Sequence, residues 1–304
     1  MLSIIYNSTP LWNFFLENFT NKHEICIVKL VCKNNFLSSR NLFVRLINHV
    51  FGHYFSLQKR YKIYGNLNDI KRNDSLLILG IYNYPVLVKL HKLYKNQKKI
   101  LWLWNPVEKT YRNPKHIIGI LKKIGYEIYT FDRTDAIKYK LGLKTQFTMI
   151  PERLLVKGLK INTDLYFLGQ PKGREQMLEE LKKIYLSLGI QCDFKIVYSP
   201  ADYISYEDNI RNVISSKCVL EICQEGQHGL TLRALEAMLC HRKLITNNKS
   251  IENEDFYNPQ NIIIIGVDNN QNVKDFIDSD FVVGDESILK KYDFNNWLNS
   301  FIEN

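Results

Sequence analysis

Short apolar runs alternate along this chain with longer segments whose apolar residues recur at helical spacing, the pattern of a parallel sheet covered by helices. In the first half, Leu2–Tyr6, Ile25–Val31, Ser75–Leu79, Ile100–Trp104 and Glu127–Phe131 predict strands. Leu11–Phe19, Asn41–Phe55, Pro85–Leu93 and Pro114–Ile124 predict the helices between them; Lys138–Gln146 is mixed, and Pro151 closes the half. A second series starts at Asp164, with strands at Leu165–Leu168, Asp193–Tyr198, Val219–Cys223, Lys243–Thr246 and Ile262–Gly266. Its helices are Arg174–Leu188, Ile210–Ser215, Leu230–Leu239, Val273–Ile277 and Trp297–Phe301. No internal repeat is visible, and Leu155–Thr163 is the best linker. The pattern predicts an α/β protein of two Rossmann-like domains, 1–154 and 155–304, facing a central cleft. Ligands of such sheets bind beyond the carboxyl ends of the strands, so the loops there are where chemistry is sought.

A length of 304 residues suits two domains, each with its own core. With 45% apolar and 24% charged residues, and only 14 Gly and 8 Pro, the chain is neither disordered nor of low complexity. The 41 Lys and Arg outnumber 31 Asp and Glu, a net +10 that favours a polyanion, an anionic membrane surface or a phosphorylated ligand. No apolar run reaches the roughly 20 residues of a membrane-spanning helix. The start, Met1 to Asn7, lacks a basic leader and reads as a strand, which predicts a cytoplasmic protein. Six cysteines without a CxxC predict free thiols in a reducing compartment and no structural zinc.

Two loops carry candidate chemistry. Gly169-Gln170-Pro171-Lys172-Gly173-Arg174 leaves one predicted strand and opens a helix. Glycines let a ligand approach the backbone, the helix N-terminus offers free N–H groups, and Lys172 and Arg174 add charge, which suits a phosphate or diphosphate. A solvated turn with ordinary basic residues would look the same. No GxxxxGK[ST] or GxGxxG occurs, which counts against a P-loop and a dinucleotide oxidoreductase. The second loop runs from Cys223 through Gln224, Gln227, His228, Gly229 and Leu230 into a helix bearing Thr231, Arg233 and Glu236. Arg233 near a helix N-terminus opposes the macrodipole unless an anion sits there. Glu236, about one turn on, can accept from ribose hydroxyls or pair with Arg233.

The stretch Gly229-Leu230-Thr231-Leu232-Arg233-Ala234-Leu235-Glu236-Ala237-Met238, followed by Lys243-Leu244-Ile245-Thr246-Asn247-Asn248, resembles the donor-site region of GT-B glycosyltransferases. It is most similar to the bacterial enzymes that build lipopolysaccharide, capsule or related surface glycans. The resemblance implies that Glu236 holds the ribose of a nucleotide sugar and that Lys172 and Arg174 contact its diphosphate. Gln224 to Thr231 would then lie against sugar and phosphates. It covers the C-terminal half by motif and the N-terminal half by architecture. Many retaining members carry a Glu eight residues before the position of Glu236; His228 stands there here, and the spacing from Gly229-Leu230 to Glu236 is longer than in their motif.

The N-terminal half would hold the acceptor, with an Asp or Glu as general base in an inverting enzyme. Asp132 and Glu108 are the candidates, from Asp132-Arg133-Thr134-Asp135 and Asn105-Pro106-Val107-Glu108; in a purely structural role Asp132 caps the next helix and Asp135 pairs with Arg133. Lys89–Lys99 and Lys59-Arg60-Tyr61-Lys62 are basic stretches that would face anionic lipid, or are simply solvated. The expectation is a metal-independent hexosyltransferase, without cofactor, moving sugar from a nucleotide-diphosphate donor to a glycan or lipid-linked acceptor at the inner face of a membrane, with no nucleic acid. The rivals are a non-catalytic GT-B-like scaffold of glycan assembly and a basic nucleic-acid-binding protein.

Overall fold

Two apolar strand series separated by helices fold as two units in the computed structural model, which describes residues 2–20, 25–32, 61–64, 67–71, 74–155, 160–223, 229–268 and 272–302. One unit is Met1–Lys144 with the chain end from Asn299; the other is Thr145–Leu298.

The first unit builds one sheet from β1 (Leu2–Asn7), β2 (Ile25–Cys32), β3 (Tyr61–Tyr64), β4 (Ser75–Leu79), β5 (Lys99–Leu103), β6 (Tyr126–Thr130) and β7 (Gly142–Leu143). The order is β3-β2-β1-β4-β5-β6-β7, parallel throughout except for β3, which runs antiparallel to β2. Strands such as Ser75–Leu79 are apolar almost throughout because both faces are covered. The helices are α1 (Pro10–Asn18), α2 (Tyr84–Leu93), α3 (Val107–Thr110), α4 (Pro114–Lys123) and α5 (Arg133–Tyr139). Thr9 and Asn83 cap α1 and α2 by accepting from Trp12 N at 3.2 Å and Val86 N at 3.3 Å, each with a proline in the first turn. Alternate strand residues Ile5, Ile78, Leu101 and Ile128 share one core with Val86 and Leu90 of α2, Leu121 of α4 and Tyr139 of α5. Those three helices therefore form one layer on one face of the sheet.

The second unit holds β8 (Thr163–Gly169), β9 (Cys192–Ile196), β10 (Ser216–Glu221), β11 (Lys243–Thr246) and β12 (Ile262–Ile264), all parallel, in the order β12-β11-β10-β8-β9. Its helices are α6 (Glu175–Ser187), α7 (Tyr206–Ile214), α8 (Leu232–Leu239), α9 (Val273–Asp278), α10 (Glu286–Lys290) and α11 (Phe294–Asn299). Tyr166, Val219 and Leu244 face α7 and α8. Leu165, Phe167, Leu220 and Ile245 point the other way, to α6 and α9.

The division differs from the expected boundary between 154 and 155. Phe147 stacks on Trp297 at 3.9 Å, Thr148 bridges Asp293, and Ile150 and Leu154 enter the core of the second sheet, so residues 145–154 belong to the second unit. From Asn299 the chain returns to the first: the Phe301 ring meets Tyr129 edge-on at 5.9 Å, with Lys144 Nζ 4.2 Å from its centre. Helix α11 accordingly starts at Phe294, three residues before the expected Trp297. The predicted helix Asn41–Phe55 lies outside the described residues. Among the described residues no helix is long and apolar enough to cross a membrane. Cys26, Cys192, Cys218, Cys223 and Cys240 are free thiols.

Candidate functional site

In a parallel sheet the order of the strands fixes where a ligand can enter. In the second unit the chain leaves β8 toward β9 on one side and later occupies β10, β11 and β12 on the other, so the carboxyl ends of β8 and β10 flank a switch point. The two loops singled out from the sequence both leave from these two strands.

The loop after β8 turns through Lys172 (φ 49°) and Gly173 (φ 79°), two successive left-handed residues that reverse the chain before α6. Lys172 is exposed at this turn, whereas Arg174 is buried. The Arg174 guanidinium donates to three backbone oxygens: Ile222 O at the end of β10, Gln170 O at 2.6 Å and Pro171 O at 3.1 Å. It thus ties its own loop to the second loop. Burial, and then the charge of Arg233, hold its pKa below the usual guanidinium value.

Arg233 lies in the first turn of α8 and reaches back to donate from Nε to Leu168 O at 2.8 Å. Its two Nη nitrogens take no hydrogen-bond partner among the described residues. Both guanidinium carbons lie over the Phe167 ring, Arg174 at 5.9 Å and Arg233 at 5.4 Å from its centre. They can converge because residue 169 has no side chain: a Cβ there would stand 2.8 Å from Arg233 Nη2 and 3.5 Å from Arg174 Nη2. No ion pair among the described residues involves either arginine. Two close cations with no ion-paired carboxylate among the described residues repel one another, and an anion between them would relieve that repulsion.

Thr231 is the N-cap residue of α8 by position, yet its side chain does not cap. Its hydroxyl donates instead to Glu221, the last residue of β10, whose other oxygen accepts from Thr246 of β11 at 2.5 Å. The first-turn N–H groups of α8 are therefore left without a side-chain cap among the described residues, beside Gly229, which is half-buried. Asn247 fastens the loop at its start, accepting from Cys223 N at 2.7 Å and donating to Cys223 O at 3.3 Å. Gln224, Gln227 and His228 lie outside the described residues.

Glu236 does not pair with Arg233. It is buried, and its oxygens accept from Tyr206 Oη at 2.7 Å and Asn209 Nδ2 at 3.1 Å, both on α7. Thr148 and Tyr206 share a further hydroxyl contact of 2.5 Å. Burial raises the Glu236 pKa, with Tyr206, Asn209 and Arg233 pulling the other way. The carboxylate expected to meet a ribose thus has internal partners on both oxygens.

In the first unit Asp132 caps α5, accepting from Asp135 N at 3.0 Å through Oδ1, while Oδ2 takes no partner among the described residues. Asp135 does not pair with Arg133: it is buried and accepts from Val107 N at 2.7 Å, fastening α3 to α5. Burial raises its pKa. Glu108 is exposed and bound to Lys138 Nζ and, at 3.1 Å, to Tyr139 Oη, which hold its carboxyl below the usual range. The structure therefore gathers Gly169, Arg174, Arg233 and Thr231 around one point, with Lys172 on the adjoining turn, and gives Glu236 and Glu108 partners of their own. Sequence reasoning passed over the roles of Glu221, Tyr206 and Asn209, and it paired Asp135 with Arg133 where the structure gives it Val107 N. For Glu221 a signal existed, an acid at the end of an otherwise apolar strand where burial demands a partner.

No family model and no curated protein matches this sequence. Solved structures do. The chain is similar over 99% of its length, at 12% identity and a TM-score of 0.55, to the N-terminal domain of trehalose-6-phosphate phosphatase from Candida albicans, 97% of which is covered. It is also similar to Anabaena HepE, solved with UDP (9% identity, TM-score 0.52) and with UDP-glucose (10% identity, TM-score 0.51), over the whole of both chains. Likeness at such identity speaks to fold alone, and the fold it shows is α/β with Rossmann-like units, of the GT-B type.

Proposed function

We propose that this protein is a metal-independent glycosyltransferase that binds a nucleoside-diphosphate sugar at the switch point of its second unit and transfers the sugar to a growing surface glycan of the lipopolysaccharide or capsule kind. The observation that carries the reading is the convergence of Arg174 and Arg233 over Gly169 with no ion-paired carboxylate among the described residues, beside the start of α8, which Thr231 does not cap. Such a site is built before ligand arrives, so the arginines and helix N–H groups stabilise charge that grows on the departing diphosphate at little reorganisation cost. That HepE, a protein of similar fold, was solved with UDP and UDP-glucose supports the same ligand class.

In this reading Arg233, whose Nη groups take no partner among the described residues, meets phosphate directly, and Arg174 holds the two loops in place while lending its charge. Lys172 closes on the outer phosphate from its exposed turn. Glu236 meets the ribose by exchanging Tyr206 or Asn209 for a ribose hydroxyl. Lys138 holds the Glu108 carboxyl at low pKa and so weakens it as a base for the acceptor hydroxyl, which leaves Asp132 as the candidate. A second reading is favoured by the internal partners of Glu108 and Glu236: a nucleotide-sugar-binding protein that performs no transfer.

The test is thermal unfolding with UDP, GDP, CMP and ADP and their sugar conjugates, followed by release of nucleoside diphosphate in the presence of glycan acceptors. Ligand that binds only the folded state raises Tm by mass action. A shift with one nucleoside diphosphate, lost in Arg233→Ala, supports the site, and acceptor-dependent release supports transfer. A shift without release favours the binding protein. No shift with any nucleotide overturns both.

A further inference from the structure

Among the described residues the two sheets end in the edge strands β3, β7, β9 and β12, and an open edge presents N–H and C=O groups that can pair with a further strand. Three of these edges are blunted. Strand β7 has two residues, β12 has three that are all buried, and β3 has four inside a basic stretch, where a second copy would be repelled. The other edge, β9, runs for five residues, Cys192-Asp193-Phe194-Lys195-Ile196, each of them half-buried and paired only with β8 among the described residues.

Its two faces differ. Cys192, Phe194 and Ile196 lie on the α6 side, against the core of Leu165, Phe167, Leu178 and Tyr185. Asp193 and Lys195 lie on the opposite side, in register with Tyr166 and Leu168, and bridge each other at 3.0 Å with side chains 40% and 38% exposed. The backbone alternates as well. Gln191 O accepts from Leu165 N at 3.0 Å, and Val197 N donates to Gly169 O at 3.0 Å. Residues 191, 193, 195 and 197 therefore turn toward β8, and residues 192, 194 and 196 turn their N–H and C=O groups outward.

This edge complements itself. In an antiparallel pair centred on Phe194, that residue and its copy exchange both backbone bonds, as do Cys192 and Ile196 of opposite copies, about six bonds in all. Asp193 of each copy then falls opposite Lys195 of the other, in the closer, non-hydrogen-bonded pairs. Centring on Cys192 or Ile196 instead leaves both charges without an opposite. On the α6 side the same two-fold continues the packing. Helix α6 rests over β8 and β9, with Lys182 Nζ 5.9 Å from the centre of the Phe194 ring. Two strand spacings of about 4.8 Å place its copy about 10 Å away, the distance of packed helices. Leu186, one turn after Lys182 on the same flank, is 51% exposed and is covered by that contact.

We propose that this protein self-associates through β9, two copies joining their second sheets into one by antiparallel pairing about Phe194. None of the side chains of the arginine site takes part, so the inference holds whether or not that site binds a nucleotide.

Sedimentation equilibrium of the full chain tests it. A five-residue edge with one helix flank stands at the small end of specific interfaces, about 1,200 Å² in total, so a dimer that dissociates in the micromolar range is expected. Asp193→Lys and Lys195→Asp each set like charges opposite one another in both pairs, and each weakens the dimer by about tenfold or more. An equimolar mixture of these two variants dimerises as the parent does, because opposite charges face each other again, and the double variant regains the dimer by itself. The Asp193–Lys195 bridge within one chain is a surface pair of little worth, so each variant folds as the parent does. Hydrogen exchange reads the same edge: the Phe194 and Ile196 amides become protected as protein concentration rises. A monomer at concentrations far above the micromolar range, a dimer that neither single variant weakens, or single variants that stay apart when mixed would each overturn the proposal. Protection of the Phe194 amide in a monomer, independent of concentration, would overturn it in favour of another segment of this chain on the edge.

Discussion

At the scale of single residues, Gly169 has the sharpest consequence. Gly169→Ala places a methyl group 2.8 Å from Arg233 Nη2, at the free end of a flexible side chain. The guanidinium moves and the strand stays, so the expected result is a Tm close to the parent and nucleotide affinity reduced by about tenfold, the loss of a charge-assisted hydrogen bond; titration with UDP measures it. Glu236 gives the opposite balance. Glu236→Ala leaves the Asn209 amide N–H without its acceptor at about 1–3 kcal/mol, while the Tyr206 hydroxyl keeps Thr148, so it destabilises the second unit before any ribose contact is tested. Glu236→Gln keeps the shape. It also isolates a pH effect: a carboxyl whose pKa is raised on folding retains its proton longer folded than unfolded, so its contribution to stability falls as pH rises from the unfolded pKa toward the folded one. Chemical denaturation across that acidic window should show the decline in the parent and its absence in Glu236→Gln. The position of Glu236 on its helix was legible from spacing alone. Its partners were not, because Tyr206 and Asn209 sit 30 and 27 residues away and only tertiary packing brings α7 beside α8.

Elements were legible where a hydrophobic period was long. Strands β4, β8 and β11 and helices α2, α4, α6 and α8 lie within a residue or two of the segments the pattern predicts. The misses are short or polar. Strand β3 has four residues, Tyr61–Tyr64, inside a basic stretch, and as an antiparallel edge it owes its place to β2 and not to its own pattern. Helices α3 and α10, of four and five residues, are too short to show a period. At element scale the informative unit is the junction of β10, β11 and α8, where Thr231 and Thr246 both hold Glu221. Had Thr231 capped α8 as its position suggests, a buried carboxylate would have lost a donor and the helix N-terminus would have been filled. Thr231→Ala is therefore expected to lower stability by about 1–3 kcal/mol, more than loss of an exposed cap of this kind, whereas Thr231→Ser retains the hydroxyl and most of the stability; urea denaturation at neutral pH compares the three.

For the whole molecule, two cores in one chain need not melt together. Their boundary was legible only to within ten residues, since the segment 145–154 carries no loop signature, and nothing in the periodicity shows that the chain end returns to the first unit. That return has a measurable consequence. Phe301 is buried against Tyr129 and lies under Lys144, with Lys144 Nζ donating to Ser300 Oγ at 2.7 Å, so the C-terminal segment stabilises the sheet at the other end of the sequence. Phe301→Ala removes that contact from the first unit, and burial of a phenylalanine of this kind is worth about 3–5 kcal/mol at most, less at a surface groove that can collapse. UDP acts on the other unit, because Gly169, Arg174 and Arg233 all lie within Thr145–Leu298. Scanning calorimetry should then resolve two transitions that respond separately: Phe301→Ala lowers one, UDP raises the other, and each leaves its neighbour within about a degree or two of its original Tm. If UDP and Phe301→Ala moved the same transition, either the two cores unfold as one cooperative body or the nucleotide binds residues of the first unit. Repeating the UDP scan on Arg233→Ala separates these, since loss of the shift keeps the site at the second sheet and persistence of the shift removes it.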